Sequence, residues 1–142
     1  MIAIGCDHGG YELKLEIIKH LTERGFEIKD LGCNDTNSCD YPIYAKAVAD
    51  CVAGGEAELG ILVCGTGIGM SMAANKVDGI RAALCADCFS AQATREHNNA
   101  NVLCMGARIL SFEKVVEITD AFLGAEFLGG RHQRRVDMLE NL

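Results

Sequence analysis

Cys64 ends the apolar run Ile61-Leu62-Val63-Cys64 and is followed by three alternate glycines, Gly65, Gly67 and Gly69, in the stretch Cys-Gly-Thr-Gly-Ile-Gly-Met that closes at Met70. The apolar run reads as a buried strand, and the residues after the glycines, through Met72, Ala73 and Ala74, read as a helix. A thiol therefore sits where a strand ends and a helix begins. Glycines without a Cβ let such a loop turn sharply and aim backbone N–H groups inward, and the helix terminus adds partial positive charge. The stretch can hold an anion beside a cysteine that is a nucleophile, a base or simply a small buried residue at a tight turn.

Spacing narrows the chemistry. A dinucleotide fingerprint needs a third glycine where Met70 stands, and a phosphate-binding P-loop needs Gly-Lys-Ser/Thr where this chain has Gly69-Met70-Ser71. A cysteine phosphatase loop would require an arginine at position 70. What remains is a thiol beside an anion hole, which suits proton abstraction next to a carbonyl, because N–H donors stabilise the oxyanion as it forms. At neutral pH an ordinary thiol is only a few per cent ionised, so Cys64 needs the helix terminus or a cation beside it. His8 and His97 are the candidate acid–base partners; His20, mid-helix among charged residues, reads as structural.

Arg131 and Arg135 lie four apart, on one face of a helix, and Arg108 directly follows a strand. Two guanidinium forks on one face can grip a phosphate, with Arg108 joining from the sheet side; the alternative is an exposed face neutralised by Asp137 and Glu140. Cys85-Ala-Asp-Cys88 is formally C-x-x-C but lacks the second ligand pair of a structural zinc site. Cys6, Cys51 and Cys104 read as core residues, and Cys33 and Cys39 fall in a polar loop without evident partners.

These residues need a scaffold. Strands are expected at Met1–Cys6, Phe26–Leu31, Ile61–Cys64, Ile80–Cys85 and Asn101–Met105. Between and after them come helical patterns. The first runs from the Asp7-His8-Gly9-Gly10 turn to Gly25, with Leu13, Ile17, Ile18 and Leu21 inward and Glu12, Lys14, Glu16, Lys19 and Glu23 outward. The others cover Ile43–Val52 behind Pro42, Phe89–Glu96, Phe112–Leu123 and His132–Leu142. Strands alternating with helices predict a doubly wound α/β domain, three layers with a five-stranded parallel sheet in the middle and a C-terminal helix. The flavodoxin-like order 2-1-3-4-5 would put the switch point between strands one and three, so that Asp7-His8 and Cys64–Gly69 meet beyond their carboxyl ends.

Composition bounds the partners. The 142 residues carry a net charge of −7 and fit one domain spanning 1–142, and the acidity argues against nucleic acid or an anionic membrane as partner. The start, Met1-Ile-Ala-Ile-Gly, has no charged leader, and no apolar run nears the ~18 residues of a membrane span, so the eight cysteines are expected reduced in the cytoplasm.

Together the segments Gly-Cys-Asp-His (5–8), Asp-Tyr-Pro (40–42), Cys-Gly-Thr-Gly-Ile-Gly (64–69), Ala-Ala-Asn-Lys (73–76), His-Asn (97–98) and Gly-Gly-Arg-His-Gln-Arg-Arg (129–135) resemble ribose-5-phosphate isomerase type B, a group that includes galactose-6-phosphate isomerase subunits. The resemblance covers nearly the whole chain. It implies a Rossmann-like sheet, no metal or organic cofactor, and a homodimer, or a tetramer of paired dimers, with active sites shared between subunits. By the same resemblance, Cys64 is the base that moves a proton between C1 and C2 through an enediolate. The amides of Gly65, Thr66, Gly67, Ile68 and Gly69 form its anion hole, and His97, assisted by Thr66, is the acid that opens the furanose. Asp7 and His8 bind the sugar, Asn98 adds a contact, Tyr41 lines the pocket, and Arg108, Arg131 and Arg135 clamp the phosphate. One branch of the family replaces the cysteine with a glutamate at the place of Met70; methionine there puts this chain with the cysteine users. The alternatives are an isomerase of a six-carbon sugar phosphate such as allose or galactose 6-phosphate and a non-catalytic sugar-phosphate sensor.

Overall fold

The computed structural model describes residues 1–142. Five strands alternate with helices: β1 (Ile2–Cys6), α1 (Tyr11–Glu23), β2 (Ile28–Asp30), α2 (Tyr41–Ala53), β3 (Leu59–Cys64), α3 (Ile68–Ala74), β4 (Ala82–Leu84), α4 (Cys88–Asn98), β5 (Val102–Gly106), α5 (Phe112–Leu123) and α6 (Arg131–Glu140). All strand pairs are parallel. No helix is long and apolar enough to cross a membrane.

Side chains alternate across the central strands and feed two cores. Ile2, Ile4, Ile61, Val63, Leu103 and Met105 pack with α1, α4 and α5 on one face of the sheet. Ala3, Leu62, Cys64, Val102 and Cys104 pack with α2 and α3 on the other. The period of two thus assigns Cys64 to the α2–α3 face before any chemistry is considered.

The sheet order is β2-β1-β3-β5-β4, not the expected 2-1-3-4-5. The reason lies in burial. Every residue of Val102–Gly106 is buried, as a strand flanked on both sides and covered on both faces must be. Ala82–Leu84 is only three residues long and half exposed, which suits an edge; the six-residue strand expected at 80–85 shrinks because only its middle pairs. The swap has a functional effect, since it sets the end of β5 beside the end of β3. Ala107 N–H donates to the Cys64 carbonyl at 2.8 Å and Arg108 N–H to the Gly65 carbonyl at 2.9 Å. The switch point between β1 and β3 is as expected.

Lys14 is a second correction. Expected outside, it is 1% exposed, and its ammonium donates to Asp30 Oδ1 at 2.7 Å and to the Cys33 carbonyl at 2.5 Å. A charged head is buried only when paired and hydrogen-bonded, and here the pairing pins α1 to the end of β2 and the loop beyond it. Cys33 is likewise core, with its sulfur 3.7 Å from that of Cys6, so it does have a partner. All eight cysteines are free thiols.

Candidate active site

The carboxyl ends of β1, β3 and β5 converge on one polar region. After β1, Asp7 Oδ1 accepts from the N–H groups of Gly9 (2.9 Å) and Gly10 (3.2 Å), fixing a short turn of 3-10 helix over His8–Gly10 while Oδ2 makes no bond within the chain. His8 Nδ1 accepts from Cys39 N–H at 3.2 Å. That bond requires an unprotonated Nδ1, which leaves Nε2 as the donor for a ligand.

After β3, Cys64 is 6% exposed, and its sulfur accepts from the Gly67 N–H at 3.0 Å. Gly67 takes φ +79, and a Cβ there would stand 2.7 Å from Leu84 Cδ1 and 2.8 Å from the Met105 carbonyl carbon, so only glycine closes the turn. The Ile68 N–H donates to Thr66 Oγ1 at 3.2 Å. The N–H groups of Gly65, Thr66 and Gly69 donate to nothing in the chain. Unpaired amides cost free energy unless something accepts from them, so three donors lie open within five residues of the thiol. Met70, by contrast, is fully buried in the α2–α3 core and takes no part.

Two further side chains wall this region. Tyr41, the first residue of α2, lies against Gly69, where a Cβ would meet the ring at 2.6 Å. Arg108 lies over Gly65, its Cδ and Nε within 3.3–3.4 Å of where a Cβ would be. Several other thiols are set apart by burial: Cys6 is pushed up to about 12 and Cys85 to about 11, chiefly by desolvation. Such thiols stay protonated and inert. His, Cys, Asp and Glu side chains nowhere gather in threes so as to hold a metal ion.

The remaining predicted residues lie at the other end of the sheet. α4 starts beyond the carboxyl end of β4 and runs back, so His97 and Asn98 in its last turn stand near the amino end of β5. β5 is five residues long, roughly 16 Å at the usual rise, and it separates them from Cys64. α6 packs on α4, tied there by Leu128 N–H donating to the Glu96 carbonyl at 3.0 Å. Arg131 and Arg135 are exposed on α6 and form no salt bridge. The alternative that they neutralise Asp137 and Glu140 is not met: Asp137 accepts from Gln133 at 2.8 Å and Glu140 pairs with Arg81 at 2.6 Å. One chain thus brings together Asp7, His8, Tyr41, Cys64–Gly69 and Arg108, and separately His97, Asn98, Arg131 and Arg135. The largest cavity, about 570 Å³, belongs to neither thiol nor glycine loop; it is lined by Asn75, Asp78, Arg81, Asn98 and Glu140 among others.

The profile of the Ribose/Galactose Isomerase family matches residues 2–139. The chain belongs to this family. Among ribose/galactose isomerase relatives, it is 54% identical to ribose-5-phosphate isomerase B of Escherichia coli over 138 residues, 97% of this chain and 93% of that protein. It is 50% identical to a putative sugar phosphate isomerase of Bacillus subtilis, over 99% of this chain and 95% of the relative. Solved structures agree. The ribose-5-phosphate isomerase B of Clostridium thermocellum superposes with a TM-score of 0.98 at 48% identity, covering 99% of this chain and 95% of that one. The Mycoplasma genitalium enzyme, solved with bound ribulose 5-phosphate, gives 0.95 at 46% identity, covering 99% and 93%.

Within the ribose/galactose isomerase frame, two residues beside the candidate site residues escaped the sequence reading. His132 stacks on His97, with ring centroids 4.5 Å apart; the only trace in the sequence is its place between Gly130-Arg131 and Gln133. Cys39, read as a loop residue without partners, holds His8 through its backbone N–H, which no side-chain pattern encodes.

Proposed function

We propose that this protein interconverts D-ribose 5-phosphate and D-ribulose 5-phosphate by proton transfer between C1 and C2. The observation that carries the reading is the buried Cys64 sulfur with the unpaired amides of Gly65, Thr66 and Gly69 beside it. His97 gives a proton to the ring oxygen O4, Thr66 assists, and the C1–O4 bond breaks as the anomeric hydroxyl releases its proton to solvent, leaving the aldehyde. Cys64, as thiolate, takes the proton from C2, and the resulting enediolate oxygen accepts hydrogen bonds from the glycine-loop amides. The thiol then returns its proton to C1 while the O2 hydroxyl proton passes to O1, leaving a carbonyl at C2 and a hydroxyl at C1, the ketose. Asp7, His8 and Asn98 orient the hydroxyls, Tyr41 lines the pocket, and Arg108, Arg131 and Arg135 hold the phosphate.

The reading requires a second copy of the chain. His97, Asn98, Arg131 and Arg135 stand at the opposite end of the sheet from Cys64, so a two-fold axis that faces one half-site with the partner's other half completes two equivalent sites. The relatives named as ribose-5-phosphate isomerase B, and the ribulose 5-phosphate bound to one of them, support the five-carbon substrate.

The test is turnover of ribose 5-phosphate together with deuterium uptake at C1 of ribulose 5-phosphate in D₂O, both expected of the native protein. Neither isomerisation nor exchange would sink the proposal. Because the family also includes galactose isomerases, kcat/KM on six-carbon phosphates is the comparison that fixes substrate class; a higher value there than on ribose 5-phosphate reassigns the substrate while keeping the chemistry.

A further inference from the structure

Two imidazoles, not one, stand at the amino end of the sheet. His97, in the last turn of α4, and His132, in the first turn of α6, stack with centroids 4.5 Å apart and planes 19° apart. The imidazole hydrogen bonds in this chain involve His8 and His20 alone, so neither ring nitrogen of His97 is held by a polar partner. His97 is also exposed, with no core to lock its ring. What restrains it is one face of His132.

His132 itself is well anchored. Its N–H donates to the Gly129 carbonyl at 3.1 Å, the Gly129–Gly130 turn is tied to α4 through Leu128 and Glu96, and Val136, one turn on, is buried. Desolvation lowers the His132 imidazole's pKa from its ordinary value, with His97, Arg131 and Arg135 nearby acting in the same direction. Towards His97 it presents a ring face. Offset stacking of this kind fixes the plane of an aromatic ring while leaving its edges free.

We propose that His132 is a positioning residue: stacked on one face of His97, it sets the orientation in which the His97 edge reaches the ring oxygen of a closed sugar phosphate. This rests on the reading of His97 as the ring-opening acid. An acid free to rotate about its side-chain torsions spends little time aligned, and misplacement by about 1 Å costs up to about 10²-fold in rate.

The test separates ring opening from proton transfer in the intact protein. Ribose 5-phosphate is mostly a closed furanose, whereas ribulose 5-phosphate is an open-chain ketose whose deuterium uptake from D₂O needs only Cys64 and its anion hole. In His132→Ala, kcat from ribose 5-phosphate is expected to fall about tenfold, with KM and the exchange rate from ribulose 5-phosphate unchanged. His132→Phe keeps a flat ring in the stack and should restore most of the lost turnover. Full turnover in His132→Ala, with His97→Ala inactive on the furanose, would overturn the proposal and leave His97 in its role. Full turnover in both variants would remove ring opening from His97 as well. A raised KM at constant kcat would make His132 a phosphate ligand instead, and loss of exchange alongside turnover would reduce it to a structural support; either result overturns positioning.

Discussion

The Gly67 N–H points at the Cys64 sulfur from 3.0 Å, and no other hydrogen bond reaches that sulfur within the chain. That one amide contact fixes where the sulfur sits at the end of β3. The loop therefore serves both as the turn into α3 and as the backbone support of the Cys64 sulfur.

Removing the base is the most direct consequence. Cys64→Ala should abolish isomerisation and deuterium exchange, and Cys64→Ser should lower kcat by about 10²–10⁴-fold, the usual worth of a positioned general base. Phosphate affinity and thermal unfolding should change little, since the methyl group of alanine occupies the same end of β3. Steady-state kinetics beside calorimetry decide it; a near-normal kcat in either variant removes Cys64 from the mechanism.

Replacing Gly67 tests the turn rather than the thiol. Alanine at φ +79 is strained, and its Cβ would be driven into Leu84 and the Met105 backbone, so Gly67→Ala should cost about 1–3 kcal/mol of stability and most of kcat. Chemical denaturation and turnover should fall together. A variant as stable and as active as the native protein would mean that the loop tolerates a different path.

The Lys14–Asp30 pair, buried at its ammonium and open to solvent at its carboxylate, makes an asymmetric prediction. Lys14→Met removes the ammonium and strands the Cys33 carbonyl, costing about 1–3 kcal/mol. Asp30→Asn instead leaves the buried ammonium without its counter-charge and should cost more, about 3–5 kcal/mol. Urea unfolding of both variants gives the order; the reverse order would show that Asp30, which is partly exposed, contributes little to holding Lys14.

Much of this was legible in the chain. The apolar run Ile61–Cys64 placed the thiol at a strand end, and glycines at 65, 67 and 69 announced a backbone turn. Pro42 marked the first turn of α2, although the helix begins one residue earlier, at Tyr41. What escaped was information carried by pairs distant in sequence. Whether β4 or β5 neighbours β3 depends on which strand can be buried on both sides, and the half-exposed Ala82–Leu84 could not. Lys14 looked like one more outward charge because its partners, Asp30 and Cys33, are 16 and 19 residues away. A site shared between subunits was implied by the family resemblance, but which candidate residues lie at which end of the sheet was not legible, because it follows from the direction in which α4 runs and not from any motif.

The capping of α4 has a pH signature. Asp87 Oδ1 accepts from the Ser90 N–H at 2.7 Å at the start of the helix that carries His97 and Asn98, and this bond holds its carboxyl below the ordinary 3.8. A carboxyl depressed in the folded state contributes stability above its unfolded pKa, and the contribution is lost as the pH falls through its folded value. Asp87→Asn should thus be less stable than the native protein at pH 7, and the two should converge as the pH falls below the ordinary carboxylate range and the native carboxyl takes up its proton. Thermal unfolding across that range reads the effect; a constant gap would assign the loss to packing rather than charge.

The separation of Cys64 from His97 predicts complementation between inactive chains. If each site takes Cys64, Asp7, His8 and Arg108 from one subunit and His97, Asn98, Arg131 and Arg135 from its partner, a Cys64→Ala chain paired with a His97→Ala chain has one site with both defects and one site with neither. Mixing the two inactive variants, unfolding them and refolding them together should therefore restore activity to about a quarter of the native level, because about half of randomly paired dimers are mixed and each carries one intact site of two. Cys64→Ala mixed with Arg108→Ala should recover nothing of this kind, since both changes fall on the same half and every site in the mixed dimer keeps one of them. Arg131→Ala should complement Cys64→Ala as His97→Ala does, while alone raising KM with a smaller effect on kcat. Recovery in the Cys64–Arg108 mixture, or none in the Cys64–His97 mixture, would show that the two halves meet in some other way.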